Sequence, residues 1–94
     1  MKATAELQVI PLGVGVSVRA EVTRIVGILK EFDFILETHA AGTNIEGDLA
    51  DIFDAVKRIH TDLHASGTAR LISYLKLETR TDKVPTLAGK RLES

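Results

Sequence analysis

Residues 34–48 read FILETHAAGTNIEGD, and their pattern decides the fold. Side chains alternate in character from residue 34 to residue 40, and the small pair Ala41-Gly42 follows. A second alternating stretch occupies residues 43–46. Alternation with a period of two on both sides of a small-residue turn is typical of a β-hairpin. The centre of the chain therefore predicts two antiparallel strands.

Helical patterns flank this hairpin on both sides. After it, Asp48 is a candidate N-cap, and Ser66-Gly67 is a candidate C-terminal stop. Before it, Ser17 is the candidate N-cap of an earlier helix. In both segments apolar residues recur at three- and four-residue spacing, as on the buried face of an amphipathic helix. These residues are Val18, Val22, Ile25, Val26, Leu29 and Phe32 in the first helix, and Leu49, Ile52, Phe53, Val56, Ile59 and Leu63 in the second.

Strand patterns open and close the chain. Residues 2–10 alternate, and Pro11, which lacks a backbone N–H, is expected to end that strand. Residues 69–79 predict the last strand. The resulting order, β-α-β-β-α-β, is the ferredoxin-like motif. We therefore predict an α+β sandwich in which two helices cover one face of a four-stranded antiparallel sheet. It forms a single domain over residues 1–94, with a C-terminal extension at about 82–94.

Composition narrows the classes of function. Hydrophobic residues make up 45% of the 94 residues, and 12 basic side chains nearly balance 13 acidic ones. Such a chain lacks the positive field of a general nucleic-acid-binding protein. The absence of cysteine excludes disulfides and thiolate metal sites. No apolar run approaches the roughly 20 residues of a membrane span, and Glu6 interrupts any signal-peptide core. We expect a cytoplasmic protein with neither a nucleic-acid nor a membrane partner.

The sheet face that the helices leave uncovered is the first candidate for function. Alternation places both apolar and charged side chains on it, and a wholly solvated face would be more polar. Such a face suits contact with other copies of the chain, and its carboxylates could receive a cation or an amino group. A face that is merely solvated or dimeric is the simpler interpretation. The residues are Thr4, Glu6, Gln8, Ile10, Ile35, Glu37, His39, Asn44, Glu46, Arg70, Ile72, Tyr74, Lys76 and Glu78.

Two further patterns have structural explanations that we favour. The segment Gly13-Val14-Gly15 precedes a helix, as phosphate-binding loops do, but the third glycine of a dinucleotide fingerprint is missing. His60 and His64 stand one helical turn apart, a spacing that can chelate a metal. The glutamate of a zinc-protease motif is absent between them, so the helix alone accounts for both histidines.

Three ordered blocks of sequence resemble a known family. The segment Pro11-Leu12-Gly13-Val14-Gly15-Val16-Ser17 resembles the P-L-G-x-G-x-S opening of the YkoF-like thiamine-binding proteins. Residues 42–48, GTNIEGD, resemble that family's G-T-x-I-E-G-D hairpin. Residues 80–83 and 86–90 resemble its R-x-D-K and T-x-x-G-K tail. The resemblance implies a ferredoxin-like fold, homo-oligomers built by contact between sheets, and non-catalytic binding of thiamine or its pyrimidine moiety.

That resemblance assigns candidate ligand-binding residues. Matched motif positions are Ser17, Gly42, Thr43 and Glu46, whereas Glu6, His39, Asn44 and Tyr74 are candidates because they share the uncovered face. A carboxylate could balance the thiazolium cation, and an aromatic ring could stack on the ligand. We expect a homotetramer with thiamine as ligand, without a cofactor, metal or catalytic residue. Two alternatives stay open: an oligomeric regulatory or scaffolding module without a small ligand, and a small hydrolase or isomerase that uses His39.

Overall fold

The computed structural model describes residues 1–15 and 18–90 of the chain. Its order of strands and helices is the one that the sequence predicts, so the α+β ferredoxin-like assignment is confirmed. A short 3₁₀ turn is added near the end of the chain. The elements are β1 (Lys2–Leu12), α1 (Arg19–Leu29), β2 (Ile35–His39), β3 (Gly42–Asp48), α2 (Leu49–Ala65), β4 (Arg70–Glu78) and the 3₁₀ turn Ala88–Lys90.

The sheet has the strand order β2-β3-β1-β4, and every neighbouring pair is antiparallel. Alternate residues of β1 and β3 point toward the helices, where the apolar core forms. Burial of aliphatic side chains contributes most of the driving force for folding, so the core lies on one side of the sheet only. The buried core residues are Ala3, Ala5, Leu7, Ile25, Ile28, Leu29, Ile45, Ile52, Ala55, Ile59 and Leu63.

The first strand is longer than predicted, because Pro11 does not end it. β1 pairs with β3 only from Lys2 to Leu7, but with β4 it pairs as far as Leu12. Beyond Leu7, therefore, no strand lies on the β3 side of β1. Proline is tolerated at such an edge because its missing N–H leaves no ladder bond unmade. The prediction that the strand stops at residue 10 was wrong for this reason.

The second helix begins as predicted. One carboxylate oxygen of Asp48 accepts a hydrogen bond from the backbone N–H of Ala50 at 3.1 Å. The other lies 3.1 Å from the terminal ammonium of Met1. The hydrogen bond from this ammonium lowers the pKa of Asp48 below its ordinary value of 3.8. The helix ends at Ser66, followed by Gly67 at φ +112°, a left-handed conformation that suits glycine.

Two residues of the predicted apolar stripes are exposed. Phe53 has 52% of its surface exposed, because the buried line of α2 passes through Ile52 and Ala55 and leaves Phe53 on the flank. Val22 of α1 has 43% exposed. The first helix begins at Arg19 with Val18 as a cap that makes no side-chain bond, and the predicted cap Ser17 lies outside the described residues. Among the described residues, no helix is long and apolar enough to cross a membrane.

Candidate functional site

The open face of the sheet, which carries no helix, holds its polar side chains in rows across the strands. The register places Glu6 of β1 between Asn44 of β3 and Lys76 of β4, with Glu37 of β2 at the end of the row. A neighbouring row consists of Ile35, Glu46, Thr4 and Glu78. The first row, together with Thr4 and Glu78 of the second, lines a concave region of about 580 Å³. The alternation along the sequence predicted this grouping.

His39, at the end of β2, is held on both sides of its ring. Its Nε2 lies 3.1 Å from the side-chain oxygen of Asn44 and 3.4 Å from a carboxylate oxygen of Glu6. The backbone N–H of Ala41 donates to Nδ1 at 3.3 Å. Since Nδ1 accepts a hydrogen bond, the proton of the neutral ring belongs on Nε2, where it points to the two oxygens. Asn44 is thus hydrogen-bonded to His39, and the carboxylate of Glu6 lies within ion-pair distance of the same ring.

Glu46 has a different neighbour, the C-terminal tail. A carboxylate oxygen of Glu46 accepts a hydrogen bond from the backbone N–H of Leu87 at 2.8 Å. The Lys90 ammonium pairs with Glu78 in the same row of the open face. We call residues 85–90 the strap. Leu87 is only 7% exposed, and Thr4 beneath the strap is 3% exposed although it lies on the open face. One oxygen of the expected ligand carboxylate is therefore occupied by the chain itself.

An ion pair precedes the strap and shapes the chain that leads into it. The guanidinium of Arg80 donates two hydrogen bonds to the carboxylate of Asp82. These bonds lower the pKa of Asp82 below its ordinary value and raise that of Arg80. Within the strap, the Thr86 hydroxyl accepts a hydrogen bond from the backbone N–H of Gly89 at 3.0 Å. The tail motif thus forms two local contacts within one subunit, the Arg80–Asp82 ion pair and the Thr86–Gly89 hydrogen bond.

Thr43 does not share the open face with Glu46. Thr43 is 6% exposed and points to the helix side, where its hydroxyl lies 3.5 Å from that of Thr38. Gly42 begins β3 against Leu7, and a Cβ there would lie 2.6 Å from the Leu7 carbonyl oxygen. The candidate ligand residues therefore lie in two regions, with Thr43 on the helix side and Glu6, His39, Asn44 and Glu46 on the open face.

The second region is a groove at the edge of the sheet, which we call the α1 groove. It has a volume of about 320 Å³ and lies between α1, the far end of β1 and the β2–β3 turn. Its walls are largely aliphatic, and the exposed Val22 side chain is one of the residues that line it. The lining residues are Leu7, Gln8, Val9, Ile10, Pro11, Val18, Val22, Ile25, Val26 and Thr38 to Thr43.

The floor of the α1 groove includes a strand edge without a partner strand. From Gln8 onward, β1 has no β3 residue opposite it, yet Gln8, Val9 and Ile10 line the groove. An antiparallel strand directs the N–H and C=O groups of alternate residues toward each side. The groove therefore combines apolar walls with backbone donors and acceptors, which is the usual make-up of a site for a small aromatic ligand.

The remaining motifs have structural partners. His60 Nε2 lies 2.7 Å from the Ser73 hydroxyl, and His64 Nδ1 lies 2.7 Å from the carbonyl oxygen of Thr68. Within residues 1–15 and 18–90, no three His, Asp or Glu side chains come together as a metal site requires. Tyr74 is 60% exposed on the open face, beside Gln8 in the register. The site residue Ser17 lies outside the described residues.

Sequence comparison places the chain in a family. The profile of the family described as "Thiamine-binding protein" matches residues 5–93. The chain belongs to the thiamine-binding protein family. The family resemblance inferred from the three motif blocks is thereby confirmed. A UPF0045 protein of Synechocystis is 43% identical over 90 residues, which cover 96% of this chain and 74% of the relative. One from Methanocaldococcus jannaschii is 39% identical, covering 95% and 88%.

Solved structures agree with the family assignment. The Methanocaldococcus jannaschii protein superimposes with a TM-score of 0.88 at 39% identity, covering 95% of this chain and 91% of that one. A Thermotoga maritima protein, proposed to act in thiamine biosynthesis or salvage, gives a TM-score of 0.84 at 20% identity, covering 96% and 95%. At that identity the likeness concerns the fold alone. Both solved structures thus share this sandwich.

The α1 groove and the strap are the parts of the site that sequence reasoning missed. The sequence held a signal for the groove, because β1 is longer than β3, the hairpin strand beside it. The exposed position of Val22 could not be inferred from an aliphatic stripe that looks continuous. Leu87, an apolar residue in a mostly polar tail, was the available signal for the strap.

Proposed function

We propose that this protein binds thiamine, or an aminopyrimidine related to it, in the α1 groove and without catalysis. The observation that carries the proposal is the unpaired edge of β1 inside an apolar groove lined by the family's own hairpin residues, Gly42 and Thr43. A flat heteroaromatic ring can bury its faces against the aliphatic walls. Its ring nitrogens and amino group can then pair with backbone groups of the strand edge, much as a further strand would.

Charge near the groove suits the other half of thiamine, the thiazolium cation. His39 lines the groove, and the carboxylate of Glu6 lies 3.4 Å from its ring. Glu37 shares the row of Glu6 on the open face. Carboxylates at a partly shielded site attract a cation more strongly than they would in bulk water. The match of residues 5–93 to the family described as "Thiamine-binding protein" supports the same ligand class.

The absence of catalysis is part of the proposal. The alternative enzyme would use His39 as its acid or base, and such a group needs a ring nitrogen free to reach the substrate. In this structure both ring nitrogens contact other groups of the chain, Ala41 on one side and Asn44 with Glu6 on the other. This arrangement supports a positioning role for the ring rather than proton transfer.

The open face is proposed to contact other copies of the chain. Ile35 is 56% exposed and Tyr74 is 60% exposed on this face, and they flank rows of charged residues. Apolar side chains among complementary charges are common at interfaces between identical subunits. A homotetramer, expected from the family resemblance, stays a prediction. Its assay is the molar mass of the purified protein measured by light scattering across a dilution series.

Isothermal titration with thiamine tests the ligand proposal. A pair of variants, Val22→Trp and Phe53→Trp, places the same indole side chain at two exposed helix positions, of which only the first lines the α1 groove. We expect wild type and Phe53→Trp to bind thiamine alike, and Val22→Trp to bind at least about ten-fold more weakly, a cost of about 1.4 kcal/mol. Nuclear magnetic resonance of the mixture should show thiamine unchanged after prolonged incubation.

Three outcomes would contradict parts of this proposal. No heat with thiamine or its free pyrimidine would remove the ligand. Equal binding by Val22→Trp, together with weaker binding by Tyr74→Ala, would move the site to the open face, where the sequence had placed it. No ligand, combined with a stable oligomer, would favour the scaffolding alternative.

A further inference from the structure

The β2–β3 turn, which forms one lip of the α1 groove, depends on a side chain for its shape. The register pairs His39 with Gly42, so Ala40 and Ala41 make a two-residue loop. Such loops prefer turns in which one or both central residues have positive φ. No residue other than glycine has positive φ in the described part of the chain, and Ala40 and Ala41 therefore form a turn of the less favoured kind.

The His39 ring supplies the contact that this turn lacks. Its Nδ1 accepts the N–H of Ala41, two residues further on, at 3.3 Å. This is the bond that an Asn or Asp side chain makes in an Asx-turn. On its other side, Nε2 holds the ring to Asn44 at 3.1 Å. The ring thus connects the turn to the body of the sheet.

This bond exists only while the ring is neutral. The lone pair on Nδ1 is the acceptor, and a protonated imidazole carries a hydrogen there instead. Protonation would leave the Ala41 N–H without its acceptor and would draw the ring toward Glu6, which lies 3.4 Å from Nε2. The other charged or titratable groups on the same face are Glu37, two residues before His39 on β2, and Lys76 and Tyr74 on β4, beyond Glu6 and Gln8 of β1; β3 contributes the neutral Asn44.

We propose that His39 is a positioning residue whose neutral form holds the lip of the α1 groove closed, so that ligand binding weakens as the ring becomes protonated. This inference rests on the proposed function, because its first test measures the affinity for thiamine. Ala40 and Ala41 line the groove, so a change in the turn changes the surface that the ligand would contact.

The test uses wild type and His39→Asn, because an Asn oxygen can accept the Ala41 N–H at every pH. Loss of one hydrogen bond predicts thiamine binding about five-fold weaker at about pH 5.5 than at about pH 8 in wild type. In His39→Asn the affinity should not change beyond any titration of the ligand itself, which affects both proteins equally. A pH dependence shared fully by His39→Asn would overturn the proposal.

A second measurement needs no ligand and separates the two proposals. In nuclear magnetic resonance spectra of the free protein, the Ala41 amide signal should shift with the same midpoint as the His39 ring, and should stay fixed in His39→Asn. If the amide signal does not move while the ring titrates, the lip does not depend on the ring and this inference fails. If it moves but thiamine never binds, the switch stands and the proposed function fails.

Discussion

Replacing Glu46 tests whether its carboxylate serves the strap. The Leu87 N–H is buried under a residue that is 7% exposed, and it donates to Glu46 at 2.8 Å. In Glu46→Ala the N–H keeps its burial but loses its acceptor, at a cost of about 1–2 kcal/mol. A local opening favoured by that amount exposes the amide roughly 5–30 times more often. Amide hydrogen exchange at Leu87 should accelerate by the same factor.

A graded variant makes this prediction sharper. Glu46→Gln retains an oxygen that can accept the bond but removes the charge, so exchange at Leu87 should fall between wild type and Glu46→Ala. Amides of the core strands, such as Ile45, report global unfolding and should change much less. Equal exchange at Leu87 in all three proteins would refute the reasoning that Glu46 holds the strap.

Further predictions concern the core, the turn and the N-cap of α2. Ile52→Ala, at 0% exposure, should lower the free energy of unfolding by about 2–5 kcal/mol, whereas Phe53→Ala, at 52%, should change it little in urea titrations. Gly42→Ala should lower the melting temperature, because its Cβ would meet the Leu7 carbonyl oxygen at 2.6 Å; an unchanged value would mean that the hairpin can shift. Asp48→Asn should flatten the acid side of the stability profile. The lowered pKa of Asp48 stabilises the fold above about pH 3.8, and this contribution disappears as the pH falls through the lowered value.

The sequence determined most of the fold because its local signals agree with one another. Asp48 caps α2, Gly67 ends it, and the alternation in the hairpin gives the observed register. Errors occurred where a residue's role depends on a distant neighbour. Pro11 is accommodated within β1 because β3 does not extend alongside it. Where β3 begins is decided some thirty positions further along the chain.

The candidate site was harder to predict than the fold. Alternation correctly grouped Glu6, His39 and Asn44, since they share one face of adjacent strands. It could not show that Glu46 is engaged by the tail, because that contact joins residues 41 positions apart. The α1 groove likewise arises from the different lengths of two paired strands, which is a property of the assembled sheet.

Because of the strap, the residues that stabilise the fold differ from those that shape the opposite surface of the sheet. The main apolar core lies beneath one side of the sheet, while the strap covers part of the opposite side with the buried Leu87 side chain and a few polar contacts. Shortening or rewriting those last residues should therefore alter what the bare strands present to their surroundings, without unfolding them. Relatives with different endings could in this way acquire new surface chemistry on an unchanged scaffold.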